Sequence, residues 1–403
     1  EASEGSPANR ILLPVLGDHY GRVLESGDLH IQRRGSTFLA CYFEHEFPLA
    51  PRSLVIILQR VAQRLGSDEL AFLVDALNNL PLPTVIDRKN RKRRHRNKEV
   101  ILRYLHHFLH KESRHLETVD AVLSEINNDW NTLDSLLENQ NYRLSFWRMA
   151  GRDIGYSRFF DINTLIGLRV EDEKVFADTH GLVRRWLNQD WVDGLRIDHP
   201  DGLRDPEQYF RRLRQYSSDV WIVAEKILHP GEELRPSWPV DGTTGYDFLN
   251  TVLGVLLSPE GKAPLTEFYT SFAAAPSDYP SVLRAKKRQV LKDLLGSDVH
   301  RLCEVLRSIC SKNRRHRDYT LPELEEVVRE IAVWMPVYRT YIRAESGQVD
   351  AEDRNIVESV LEAVHKELEH VDPLLLSWVR SLLFLEQSGE QESELVMRLQ
   401  QLS

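Results

Sequence analysis

Asp193-Gly194-Leu195-Arg196-Ile197-Asp198-His199 is a short extended run that ends in an acid. Trp221-Ile222-Val223-Ala224-Glu225 repeats that pattern, and Pro206 to about Gln215 between them has the length of a helix. Strand, helix, strand predicts parallel strands whose carboxyl ends lie on one side of the sheet. In α/β sheets and barrels that side carries the chemistry. Two carboxylates facing one pocket are the minimum equipment for breaking a glycosidic bond.

Arg196 lies two residues before Asp198 and so points to the same side of the strand. A guanidinium there favours the ionised carboxylate that a nucleophile requires; the alternative is a structural Arg–Asp pair. Glu225 follows an apolar run, so it is partly desolvated, as suits a general acid. Lys226 opposes this, but adjacent strand residues point to opposite faces. His199, Asp201 and Asp205 match no zinc or calcium spacing. Polar contacts to a sugar suit His199 and Asp201, and Asp205 before Pro206 reads as a helix N-cap. Tyr246 and Asp247 follow Gly242-Thr243-Thr244-Gly245, which lacks the lysine and glycines of a phosphate loop. They read either as a sugar-binding aromatic and acid or as the start of a helix.

The whole chain sets the outer limits. Its 403 residues suffice for two or three domains. It is 42% hydrophobic and 28% charged, with a net charge of -9, so no global basic field for nucleic acid is expected. The three cysteines, Cys41, Cys303 and Cys310, form neither a disulfide framework nor a metal pattern. Cys303 and Cys310 read as core-facing thiols of a reduced, cytoplasmic protein. No apolar run reaches the ~18 residues of a membrane span, and the acidic start Glu1-Ala2-Ser3-Glu4 is no signal peptide.

In chain order, residues 1–10 read as linker. Ile11–Gly17, Leu29–Gln32 and Phe38–Phe43 read as strands. Residues 53–141 read as a helical insertion, with a single acidic helix at 118–138. Its basic block, Arg88 to Lys98, is either an anionic-partner patch or a solvated helix face; without interleaved aromatics the solvated face is preferred. Residues 142–257 return to α/β character, with a strand at Phe159–Asn163 and a helix from Asp172 to about Asn188. Val175, Phe176, Thr179, Leu182, Val183, Trp186 and Leu187 form that helix's apolar face. Another helix is predicted from Phe248 to Leu257. Residues 258–403 are mostly helical: Leu294, Leu302, Leu306 and Ile309 are expected in the core, with further helices at Leu321–Trp334, Glu352–Leu368 and Leu374–Leu385. Residues 1–52 would be a remnant of a barrel or inserted domain.

These motifs together resemble the maltooligosyltrehalose synthase family of the α-amylase clan, glycoside hydrolase family 13. Asp193 to Leu203 resembles its nucleophile segment and Ile222-Val223-Ala224-Glu225-Lys226-Ile227-Leu228 its acid/base segment. Gly242-Thr243-Thr244-Gly245-Tyr246-Asp247-Phe248-Leu249-Asn250 is more particular to this family. Leu12–Gly17, Phe43-Glu44-His45, Pro48–Ser53, Arg158–Leu165 and Pro336–Tyr341 match as well. Two departures stand out. Gly155-Tyr156-Ser157-Arg158 replaces an Asn-Tyr-Arg-Arg run, and neither the clan's early Asp-x-x-x-x-His segment nor its third catalytic Asp is found.

The resemblance implies a central fragment of a (β/α)8 barrel of the α-amylase type with large helical insertions. It implies Asp198 as nucleophile, Glu225 as acid/base and Arg196 as the residue that keeps Asp198 ionised. His199, Asp201, Asp161 and Asn163 would lie near the sugar subsites, with Tyr246 and Asp247 on the reducing-end side. The implied reaction turns the reducing-end α-1,4 link of a maltooligosaccharide into an α,α-1,1 link, with no metal or organic cofactor. The pair would stand ~5–5.5 Å apart in a complete barrel. A maltooligosyltrehalose trehalohydrolase would be the functional partner, and the fragment alone would be inactive. Alternatives are an α-amylase-like hydrolase, a 4-α-glucanotransferase or a non-catalytic glucan-binding fragment.

Overall fold

The computed structural model describes residues 10–85 and 87–402. The linker reading of residues 1–10 therefore falls, except for Arg10, outside the described residues. The chain divides into two compact units, one through Tyr156 and one from Ser157.

The first unit opens on β1 (Ile11–Leu16), α1 (Tyr20–Glu25) and the antiparallel meander β2 (Leu29–Arg34), β3 (Thr37–Tyr42) and β4 (His45–Pro48). Alternation places Leu29 and Ile31 of β2, and Phe38, Ala40 and Tyr42 of β3, in the core. Five helices follow: α2 (Leu54–Leu65), α3 (Asp68–Asn78), α4 (Arg88–Leu109), α5 (Ser113–Asn127) and α6 (Trp130–Glu138). On α2, Leu54, Ile57, Leu58 and Val61 bury one stripe, as the helical period requires. The basic block is the first half of α4, and the helix is buried only later, at Ile101, Leu105, Phe108 and Leu109. The expected single helix at 118–138 is two. Asp129 accepts from the amides of Asn131 and Thr132 and starts α6 afresh. The chain then returns as β5 (Tyr142–Phe146), parallel to β1 from Ile11↔Tyr142 onward, and ends the unit in the short α7 (Ala150–Asp153).

The second unit begins with a small hairpin, β6 (Arg158–Phe159) and β7 (Ile162–Ile166), in place of the single expected strand. Next come α8 (Glu173–Asn188), β8 (Gly194–Ile197), α9 (Pro206–Arg214), β9 (Trp221–Ala224) and β10 (Gly242–Thr243). The strands form one parallel sheet in the order β10-β9-β8. Asp172 and Asp205 cap α8 and α9 through their carboxylates. Phe176, Leu187, Phe210, Leu213, Ile222 and Trp238 supply the core. Leu182 and Trp186, expected there, are exposed: the apolar stripe of α8 is wider than the surface covering it.

Helices fill the rest: α10 (Tyr246–Leu256), α11 (Lys262–Ala273), α12 (Tyr279–Asp293), α13 (Gly296–Ser311), α14 (Leu321–Trp334), α15 (Ala351–Glu367), α16 (Pro373–Leu383) and α17 (Glu390–Leu402). Leu302, Cys303, Leu306, Ile309 and Cys310 of α13 lie in the core shared by α12 to α17. Leu294 is exposed, because it sits in the break between α12 and α13, where helical spacing no longer applies. The fold is mixed α/β. Its parallel strands come in two groups, β1 with β5 and β8 to β10, and the described residues do not close a barrel. Among them no helix is long and apolar enough to cross a membrane.

Candidate active site

The β8–β9 register pairs Ile197 with Ala224, so the next residues, Asp198 and Glu225, emerge side by side at the carboxyl edge. The Glu225 amide closes that edge by donating to the Ile197 carbonyl at 2.8 Å. Arg196 Nη1 donates to Asp198 Oδ1 at 2.7 Å, and Arg196 Nη2 lies 3.3 Å from Glu225 Oε1. One guanidinium therefore touches both acids. A hydrogen bond shared with the Glu225 carboxyl, and then the Arg196 guanidinium, hold Asp198 below its ordinary range. The two acids differ in exposure: the Asp198 side chain is 60% exposed and that of Glu225 is 22% exposed.

β10 brings in the next pair. Gly245, at φ 98°, turns the chain into α10, a backbone that glycine adopts without cost. Tyr246, first in α10, donates its hydroxyl to Glu225 Oε1 at 3.3 Å. Asp247 accepts from the Thr243 hydroxyl at 2.6 Å, a bond that holds its carboxyl below the usual range. Tyr246 thus joins the acid pair, whereas Asp247 braces the turn.

His199 follows Asp198 in the left-handed region, at φ 43° and ψ 50°, which is uncommon for a non-glycine residue. Its amide donates to Glu225 Oε2 at 2.9 Å. Its ring packs against Phe159, Phe160 and Tyr338, at centroid distances of 5.3, 5.2 and 5.9 Å. Asp161 is exposed in the β6–β7 turn, and Arg158 donates to its carbonyl and to Asn163 Oδ1. Asp161 and Asn163 are thus held by Arg158, and among the described residues neither carries a hydrogen bond to Asp198 or Glu225.

Asp201 was expected to face a sugar, but it is buried beneath the loop. Its carboxylate accepts from the Tyr341 hydroxyl and lies 3.3 Å from Lys226 Nζ. Lys226 also lies 2.8 Å from Glu232, meeting both acids as a charge, without an aligned hydrogen bond. Arg339, wholly buried, donates to the carbonyls of Asp201, Leu203 and Arg204. Sequence reasoning did not single out Lys226, Arg339 or Tyr341 for the site. The one local signal was a charged residue alternating with Glu225 on an otherwise apolar strand. Among the described residues, no group of three or more His, Cys, Asp or Glu side chains could hold a metal ion.

The site is thus a parallel strand pair with adjacent acids at its carboxyl edge, bridged by one arginine, in a mixed α/β fold. No family model matches the chain. The chain is similar to maltooligosyltrehalose synthases. A curated protein from two Mycobacterium tuberculosis strains, provisionally named a maltooligosyl trehalose synthase, is 44% identical over 166 residues, 41% of this chain and 21% of the relative. The solved maltooligosyltrehalose synthase of Arthrobacter ramosus superposes with a TM-score of 0.64 at 26% identity, covering 98% of this chain and 38% of that one. A second solved maltooligosyl trehalose synthase gives 0.54 at 26% identity over 93% of this chain and 37% of its own. The chain thus spans about a fifth of its curated relatives' length and under two-fifths of the solved structures'.

Proposed function

We propose that this chain is the segment of a trehalose-forming transglucosylase that carries its nucleophile and acid/base, within an amylase-type (β/α)8 barrel. The observation that carries the reading is one arginine bridging Asp198 and Glu225 at adjacent parallel strand ends, in a chain similar to maltooligosyltrehalose synthases.

Asp198, kept ionised, attacks the anomeric carbon of the penultimate sugar at the reducing end of a maltooligosaccharide. Glu225 protonates the leaving glycosidic oxygen. The freed glucose stays bound and reorients, Glu225 removes the proton from its anomeric hydroxyl, and that oxygen displaces Asp198. Two inversions retain configuration, and the link becomes α,α-1,1. Water has to be excluded while the glucose turns. A maltooligosyltrehalose trehalohydrolase is the partner that would consume the product.

Maltopentaose incubated with the full-length protein is the test. Loss of reducing ends without free glucose supports the reading, and Asp198→Asn should abolish that loss. Free glucose would indicate a hydrolase, and mixed oligosaccharides a 4-α-glucanotransferase.

A further inference from the structure

We infer that the His199 backbone amide positions Glu225 for proton transfer, and that Gly202 makes this possible. The inference rests on the proposed transglucosylation and names the geometry within it.

The two oxygens of Glu225 have different partners. Oε2 accepts the His199 amide at 2.9 Å. Oε1 faces the Tyr246 hydroxyl and Arg196 Nη2, both at 3.3 Å. The amide fixes Oε2 while Tyr246 and Arg196 engage Oε1, so the carboxyl is held in one orientation from both sides. In the first step the C1–O bond to the leaving sugar breaks, its oxygen takes the proton from Glu225, and Asp198 closes a new bond to C1.

The amide can aim at Oε2 because His199 is left-handed. Such a backbone persists only where its surroundings over-determine it. Here Phe159, Phe160 and Tyr338 hold the ring, and Phe160 is itself at φ 53°. The loop floor is fixed by Arg339, which binds three of its carbonyls. Gly202 closes the seat from the remaining side. A Cβ there would lie 2.5 Å from His199 Cδ2 and 2.6 Å from Nε2. That ring packs on Phe159, Phe160 and Tyr338, so a side chain at Gly202 must shift it out of this seat.

The test compares two substrates in the full-length protein: maltopentaose, whose leaving oxygen needs a proton, and α-maltotriosyl fluoride, whose fluoride leaves with its electron pair and needs none. Gly202→Ala should lower maltopentaose turnover on the order of 10²-fold, the scale of a misplaced proton donor. First-turnover fluoride release should fall less than about threefold, because it bypasses that donor. His199→Gly, which adopts the left-handed backbone without a ring, supplies the control. Adding Gly202→Ala to it should change the ratio of the two rates no further, because the clash is gone. Equal losses on both substrates, or full additivity in the double variant, would overturn the inference. Wild-type protein inert toward maltopentaose would instead defeat the proposed function itself.

Discussion

Replacing Lys226 with methionine tests the charged support beneath the acids most directly. The ammonium is 2% exposed, and it lies 3.3 Å from an Asp201 that is 7% exposed and 2.8 Å from a Glu232 that is 5% exposed. At those distances an effective dielectric of about 20 gives roughly 5–6 kcal/mol of attraction to each acid. Desolvating the three groups offsets much of that. Lys226→Met keeps most of the apolar stem but leaves two buried carboxylates facing each other, and breaking a buried pair from one side costs about 3–5 kcal/mol. For a unit of this size each kcal/mol moves the melting temperature by about 2–4 °C. The expected fall is therefore roughly 6–20 °C, read by thermal unfolding at neutral pH. The companion triple variant, Lys226→Met with Asp201→Asn and Glu232→Gln, should recover much of the loss, since no charge is then stranded. A single-variant loss under about 1 kcal/mol would refute the reasoning. So would a triple variant less stable than the single one, which would mean that the loss is packing.

Asp198 is held low by the bond shared with Glu225 and by Arg196, and its ionised form is the working one. Turnover should persist as pH falls below the ordinary aspartate value of 3.8 and be lost as pH passes the folded-state value; Arg196→Gln should move that limb upward, and an unmoved limb would count against the pairing. Burial, then Glu325, pushes the Cys303 thiol up to about 12, and Cys41 and Cys310 are raised by burial too. Ellman's reagent should therefore label the native protein slowly and all three thiols quickly once urea unfolds it. Asp129→Ala removes the cap of α6 and should cost about 1 kcal/mol in urea unfolding.

What could be read early was local. The helix at Leu321–Trp334 matches the observed span residue for residue, because Thr320 and Glu323 form a capping box at its head and the apolar period runs unbroken. Asp198 and Glu225 could be placed at strand ends because each closes its own apolar run. Where chain order stopped being a guide, the reading slipped. Leu294 was extrapolated across a helix break, and 118–138 was run through the Asp129 cap. The support of the site was not legible at all. Arg339 and Tyr341 reach Asp201 from far along the chain, and no local pattern marks such a contact. The left-handed turn at His199 was equally hidden, since its cause is the closed seat made by Gly202 and aromatic rings from two distant segments.

The pairing of β1 with β5 has a consequence for how the chain assembles. Ile11 sits beside Tyr142, and between them lie a meander and five helices, packed in one apolar cluster with Leu16 of β1 and Leu144 of β5. Closing so long a loop costs entropy before any strand contact rewards it. Pairing of β1 with β5 is therefore expected late, once the meander and helices have brought the two strand ends near each other. β1 would then wait, unpaired, until β5 arrives. A chaperone that shields a lone apolar strand, or a slow late phase in refolding, is where that wait would be seen.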